Sequence, residues 1–89
     1  MNAGRYLIEA IIENKPAARD PEGETIHRDL VIKGGYDSIK STRTGKYIRF
    51  DVEARSLNQA KRTVLKLCND LRIYNPVVHT LTIRGGRTR

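Results

Sequence analysis

The chain has 89 residues, with 17 Lys and Arg against 10 Asp and Glu, a net charge of +7 and one cysteine. A single domain of this length buries a modest core and often leans on metal, disulfides or a partner chain. Lone Cys68 excludes an internal disulfide, isolated His27 and His79 form no Cys/His cluster for metal, and no apolar run is long enough to span a bilayer; a partner chain is the support that remains.

The N-terminus lacks the basic-then-apolar pattern of a secretory signal, and a single thiol fits a reducing cytoplasm. The positive charge raises nucleic acid as a partner. Part of it sits in "RGGRTR", with Arg84, Arg87 and Arg89, read as a basic, mobile tail over residues 84–89 behind one domain spanning 1–83. The rest reads as a solvated basic surface.

In chain order, "RYLIEAIIE" is rich in β-branched and aromatic residues and predicts the first strand. Tyr6, Ile8, Ala10 and Ile12 share one face; Leu7, Glu9, Ile11 and Glu13 share the other, which is mixed in character. After the loop "NKPAARDPEG", Asp20 is placed to cap a helix. Pro21 suits the first helical position, and Glu22 complements the positive end of the dipole. Ile26 and Leu30, flanked by Val31, are the expected buried stripe. Gly34 and Gly35 end the helix, one of them in the left-handed conformation. Gly23 lowers helix propensity by about 1 kcal/mol against alanine; it fits either a close packing contact or a place in the loop before the helix.

"DSIKSTRTG" predicts a short second strand, and Gly45 turns the chain into "KYIRFDVEA", the third. There Ile48, Phe50 and Val52 alternate with polar positions. "SLNQAKRTVLKLCNDLRIY" predicts the clearest helix. Ser56 and Gln59 form a capping box; Ala60, Val64, Leu67, Cys68 and Leu71 make its core face; Asn75-Pro76 ends it. "VVHTLTI" is the fourth strand. The order β-α-β-β-α-β is the split βαβ arrangement. It predicts an α+β two-layer sandwich, an antiparallel sheet with two helices on one face. The other sheet face has no cover, so Leu7 and Ile11 are candidates for a self-association surface.

No residue set reads as a catalyst. Capping explains the cluster of Asp20, Glu22 and Glu24, Cys68 lies on an apolar helix stripe, and neither Gly-Gly pair has phosphate-loop spacing. No nucleophile has a paired base and orienter, so catalytic, cofactor and metal residues are expected to be none. One alternative is a small RNA-binding domain of the same topology. "RTGKYIRF" half-matches its strand motif through Arg43, Tyr47, Ile48 and Phe50, with Tyr6 as a second platform. The first stacking aromatic of that motif is missing, since Thr44, Gly45 and Lys46 stand there.

Read end to end, "DPEGETI", "GY", "TRTGKYIRFDVE" and "LCNDLRIYNPVVHTLTI" resemble the PurS family, the small subunit of phosphoribosylformylglycinamidine (FGAM) synthase. The shared features are Pro21 and Gly23, Gly45 and Lys46, Cys68 and Leu71, and Asn75, Pro76 and Val77, over roughly residues 5 to 83. "VHTLTI" departs from the acidic residue and tyrosine usual after Asn-Pro-Val, and the basic tail is not typical. The resemblance implies a non-catalytic subunit in purine biosynthesis. It implies a complex that turns formylglycinamide ribonucleotide (FGAR), glutamine and ATP into FGAM, with ATP and magnesium on a large synthetase subunit and ammonia released by a glutaminase subunit. It further implies a homodimer or homotetramer in the cytoplasm, with no membrane and no specific nucleic acid as partner. Asp20, Pro21, Gly45, Lys46, Asn75 and Pro76 are the expected subunit contacts.

Overall fold

A computed structural model of the chain describes residues 3–87, with Arg87 described by its backbone alone. In chain order the elements are β1 (Gly4–Asn14), α1 (Pro21–Ile26) continued by a π-helical stretch (His27–Ile32), β2 (Gly45–Ala54), α2 (Leu57–Asp70) and β3 (His79–Arg87). β1 is the central strand of an antiparallel sheet ordered β2-β1-β3. Its register sets Ile8 opposite Phe50 on one side and Gly85 on the other. Period-two alternation in β1 therefore decides both faces at once. Tyr6, Ile8, Ala10 and Ile12 are buried, while Leu7, Glu9 and Ile11 are half-buried on the opposite, uncovered face.

α2 packs on the first of these faces and contacts all three strands. Ala60, Val64 and Cys68, spaced four apart, meet Tyr6, Ile8, Ala10 and Ala54. Ile48, Phe50 and Val52 of β2 and Leu81 and Ile83 of β3 close the sides of this core. Its N-terminus is tied as a capping box, one residue wider than expected. Ser56 accepts from the Gln59 N–H at 3.1 Å, and the Gln59 side chain accepts from the Arg55 N–H at 2.6 Å. The α+β, two-layer class and the antiparallel sheet hold as expected.

Several local expectations are corrected. No strand forms over residues 37–44, so the sheet has three strands. The outer edges of β2 and β3 are open in this sheet, but the one large apolar residue of the stretch, Ile39, stays exposed and gives a strand there nothing to bury. The last strand starts at His79 and continues through Arg84 to Arg87 along β1, where a tail was expected; residues 88–89 lie outside the described ones. α2 ends before Asn75-Pro76. Arg72 takes a left-handed φ of 56°, its N–H donates to Asn69 O, and the Ile73 N–H donates to Cys68 O. That pair of bonds satisfies the last carbonyls and stops the helix. Leu71, one residue past the helix, then points away from the core and is 67 % exposed.

The first helix departs most. No Cα of α1 or of its π-helical continuation comes within 8 Å of a strand, so α2 alone covers the sheet. The expected stripe of Ile26, Leu30 and Val31 is not buried: Leu30 is 67 % exposed. Residues 21–40 thus form an arm, and the molecule extends 56 Å in its longest direction. The glycine stop works as expected. Gly35 has φ 91°, the Tyr36 N–H donates to Val31 O at 3.1 Å, and the Gly35 N–H donates to Ile32 O at 3.0 Å.

Candidate functional site

At one end of the sheet the last residues of β1 meet the first of β2 and β3, with Glu13 opposite Gly45 and Asn14 opposite His79. Three connections converge there: the loop into α1, the entry to β2, and the turn between α2 and β3. A cleft of about 390 Å³ lies among them, lined by Asp20, Pro21, Thr44, Gly45, Lys46 and His79. A second cleft of the same size, lined by Arg72, Tyr74, Asn75 and Pro76, shares Ile73 and His79 with the first. The six residues expected to contact other subunits, distant in sequence, are thus brought to one end of the molecule.

Asp20 organises this end. It is buried, at 4 % exposure. Its Oδ1 accepts from the Gly23 N–H at 3.2 Å and the Thr44 hydroxyl at 2.7 Å, and its Oδ2 accepts from the Thr44 N–H at 2.6 Å. These donors, the Thr44 N–H first, hold its carboxyl below the ordinary carboxylate range against the opposing effect of burial. These three bonds are made inside the chain, so Asp20 acts as an internal strut that ties the loops around it. The capped end of the first helix is therefore the docked end, and its far end is free. Pro21, Gly45, Lys46, Asn75 and Pro76 are exposed around it.

Other polar groups lock the same corner. The Arg43 guanidinium donates to the carbonyls of Asn14 and Lys15, each at 3.1 Å, and of Ala18 at 3.3 Å. Asn14 Nδ2 donates to Arg19 O at 2.8 Å, and His27 Nδ1 lies 2.8 Å from the Thr42 hydroxyl. Gly23 sits where a Cβ would stand 2.7 Å from Thr42 O, so glycine is needed for the approach of these two segments.

The turn before β3 is held by Asn75 and His79. Asn75 Oδ1 accepts from the Val77 N–H at 3.0 Å, and Asn75 O accepts from the His79 N–H at 2.8 Å. His79 Nδ1 in turn accepts from the Asn75 N–H at 3.0 Å. A neutral ring bonded this way carries its proton on Nε2. Thr44, Arg43 and His79 were not singled out from sequence as site-forming residues. An Asx turn at Asn75 was legible from Asn-Pro; its closing partner four residues on was read as one more alternating strand position.

The arrangement holds polar groups in fixed places and activates none. Cys68 is fully buried and burial pushes its thiol up, the reverse of what a nucleophile requires. Among the described residues no group of three His, Cys, Asp or Glu could hold a metal ion, and no helix is long and apolar enough to cross a membrane.

The uncovered sheet face is mixed. Glu9 lies in register between Arg49 and Arg84, the Tyr47 hydroxyl donates to Glu9, and Arg5 pairs with Asp51. The Glu9 carboxylate raises the Tyr47 hydroxyl above its ordinary range. Leu7 and Ile11 stand half-buried among these charges. Tyr6, the second stacking platform of the RNA-binding alternative, is buried on the opposite face under α2. Tyr47 is left as the one aromatic on the open face among the described residues, too few for a base-stacking sheet.

A family model for PurS, phosphoribosylformylglycinamidine (FGAM) synthase, matches residues 7–86. The chain is 35 % identical over 77 residues to the FGAM synthase subunit PurS of Archaeoglobus fulgidus, covering 86 % of this chain and 94 % of that one. It is 38 % identical over 73 residues to the PurS subunit of Thermotoga maritima, covering 82 % and 87 %. Among solved structures, the T. maritima PurS subunit superposes with a TM-score of 0.84 at 32 % identity, over 97 % of each chain. A chain in the structure of PurLQS from T. maritima superposes with a TM-score of 0.77 at 36 % identity, over 91 % of this chain and 98 % of that one. The chain belongs to the PurS family of FGAM synthase subunits.

Proposed function

We propose that this PurS-family chain is the small, non-catalytic subunit of an FGAM synthase complex in purine biosynthesis, holding a glutaminase subunit and a large synthetase subunit together and assisting the transfer of ammonia between them. The complex converts FGAR, glutamine and ATP into FGAM, glutamate, ADP and phosphate. ATP and magnesium belong to the synthetase subunit, and the complex works in the cytoplasm. The observation that carries this reading is the near full-length likeness to a chain within a solved PurLQS assembly. The physical character of the chain supports it: a small core, no paired nucleophile and base among the described residues, and large surfaces that its own fold leaves uncovered.

Within this reading the exposed residues Pro21, Gly45, Lys46, Asn75 and Pro76 meet a neighbouring subunit, with Asp20 behind them holding the loops in place. Leu7 and Ile11 on the uncovered sheet face take part in self-association to a homodimer or homotetramer. Reconstitution tests the reading. The chain alone hydrolyses neither glutamine nor ATP; mixed with its cognate glutaminase and synthetase, it restores glutamine-dependent FGAM formation. Full glutamine-dependent activity without it would overturn the proposal.

A further inference from the structure

We propose that His79 is a pH-sensitive latch on the turn before β3: its neutral ring closes the turn over Asn75, and protonation releases it. Four hydrogen bonds hold this turn. The Val77 N–H donates to Asn75 Oδ1 at 3.0 Å, and the Val78 and His79 N–H groups donate to Asn75 O at 3.1 and 2.8 Å. The fourth runs the other way, from the Asn75 N–H to His79 Nδ1 at 3.0 Å. Carbonyl and amide oxygens accept at any pH. An imidazole nitrogen accepts only while its ring is neutral, because both ring nitrogens of an imidazolium are donors. The fourth bond and a protonated ring therefore exclude each other.

The surroundings let the ring leave. β3 begins at His79, paired with Asn14 of β1, so the backbone stays anchored in the sheet while the side chain moves. Asn75 is exposed and His79 half-buried, so water takes over both the freed N–H and the charged ring. A buried donor left without a partner would oppose the opening, and here none is created.

The charges around the ring nearly balance. The two clefts that His79 lines also carry Asp20 and Glu22 from the start of the first helix, Lys46 from β2, and Arg72 and Tyr74 from the turn after α2. The Tyr74 hydroxyl donates to Asn69 at 3.0 Å, and Asn14, across the register in β1, is uncharged. Two carboxylates thus oppose two cations, and the bond to Asn75 is the contact that tells a neutral ring from a charged one. Imidazole is the side chain whose charge changes between about pH 5 and 8. Ile73 and His79 form the wall common to both clefts, so release of the ring reshapes the end of the sheet that carries Asn75 and Pro76. The bearing of this on subunit contact rests on the proposed function, while the latch is a property of the chain alone.

The test is amide hydrogen exchange of the full chain, followed by nuclear magnetic resonance at about pH 8 and about pH 5, on either side of the imidazole range. Rates are read as protection factors, so the intrinsic pH dependence of exchange drops out. The protection of the Asn75 amide is expected to fall about 10-fold at the lower pH, as for the loss of one hydrogen bond, while that of Ile8 in the central strand stays unchanged. His79→Asn puts an oxygen that accepts at either pH in place of Nδ1 and is expected to keep Asn75 protected at both. His79→Ala is expected to leave it unprotected at both. Ring nitrogen shifts of the wild-type chain are expected to place the proton on Nε2 at the higher pH. Equal protection of Asn75 at the two pH values overturns the latch, and so does a proton on Nδ1 at the higher one. A fall that persists in His79→Asn assigns the effect to another group, and a parallel fall at Ile8 makes it a loosening of the whole fold; either also overturns the proposal. Because the readout is on the chain alone, failure of the latch leaves the proposed subunit role standing, and failure of that role in reconstitution leaves the latch.

Discussion

Asp20 and Thr44 are joined twice, through the backbone N–H and the hydroxyl of Thr44. This one carboxylate caps the first helix and fixes the segment that enters β2, so it ties the arm to the sheet. Its ionised form is favoured in the folded state, because the folded carboxyl lies below its ordinary range. The stabilisation is present above the unfolded titration range and is lost as pH falls through the folded one. Asp20→Asn is expected to lower the melting temperature by several degrees at neutral pH and to flatten its fall on acidification. Thermal melts of both proteins at a series of pH values check this; parallel curves would mean that other carboxylates carry the acid sensitivity.

Gly23→Ala reverses the usual rule for helices. In an open helix the change gains about 1 kcal/mol. Here the new Cβ would meet the carbonyl of Thr42 at 2.7 Å, and a backbone atom yields less readily than a side chain. Urea denaturation is expected to give a net loss of about 1–3 kcal/mol. A gain in stability would show that the Thr42 segment can move aside.

Ile8 and Leu71 separate the real core from the inferred one. Ile8 is completely buried and Leu71 largely exposed. Ile8→Ala is expected to cost about 2–5 kcal/mol, and Leu71→Ala to stay within about 0.5 kcal/mol in the isolated chain. Comparable losses at both positions, by chemical denaturation, would restore Leu71 to the core.

Arg72 holds a left-handed backbone at the end of α2, a conformation that costs a side-chain-bearing residue about 1–2 kcal/mol. Arg72→Gly relieves it and is expected to raise stability by up to about 1 kcal/mol, the greater chain entropy of glycine offsetting part of the gain. A shifted urea midpoint at unchanged slope is the readout.

Lys46 and Asn75 bear on coupling within the proposed complex. If the end of the sheet touches a neighbouring subunit, Lys46→Ala and Asn75→Ala are expected to lower the glutamine-dependent rate several-fold more than the rate with external ammonia. Because Asn75 also closes its own turn through Val77 and His79, Lys46→Ala is the cleaner of the two. Equal losses in both assays would mean that the chain shapes the synthetase site itself.

Local signals carried much of this fold. Alternation in β1 and in "KYIRFDVEA", the spacing of Ala60, Val64 and Cys68, the Asp20 and Ser56 caps and the Gly35 stop all depend on neighbours within a few residues, and they were legible from sequence. So was the family, through short motifs in a fixed order. Tertiary structure decided what depends on distant partners. The stripe of Ile26, Leu30 and Val31 has helical spacing whether or not anything lies against it, and only the three-dimensional course of the chain shows that nothing does. Residues 37–44 formed no strand, their one large apolar residue, Ile39, staying exposed with no surface to pack on. Periodicity ran on through Leu71, while a left-handed turn at Arg72, which no glycine announces, ended the helix. Asp20 was read as a cap from its neighbours alone; its bonds to Thr44, across 24 residues, exist only because the chain returns to it.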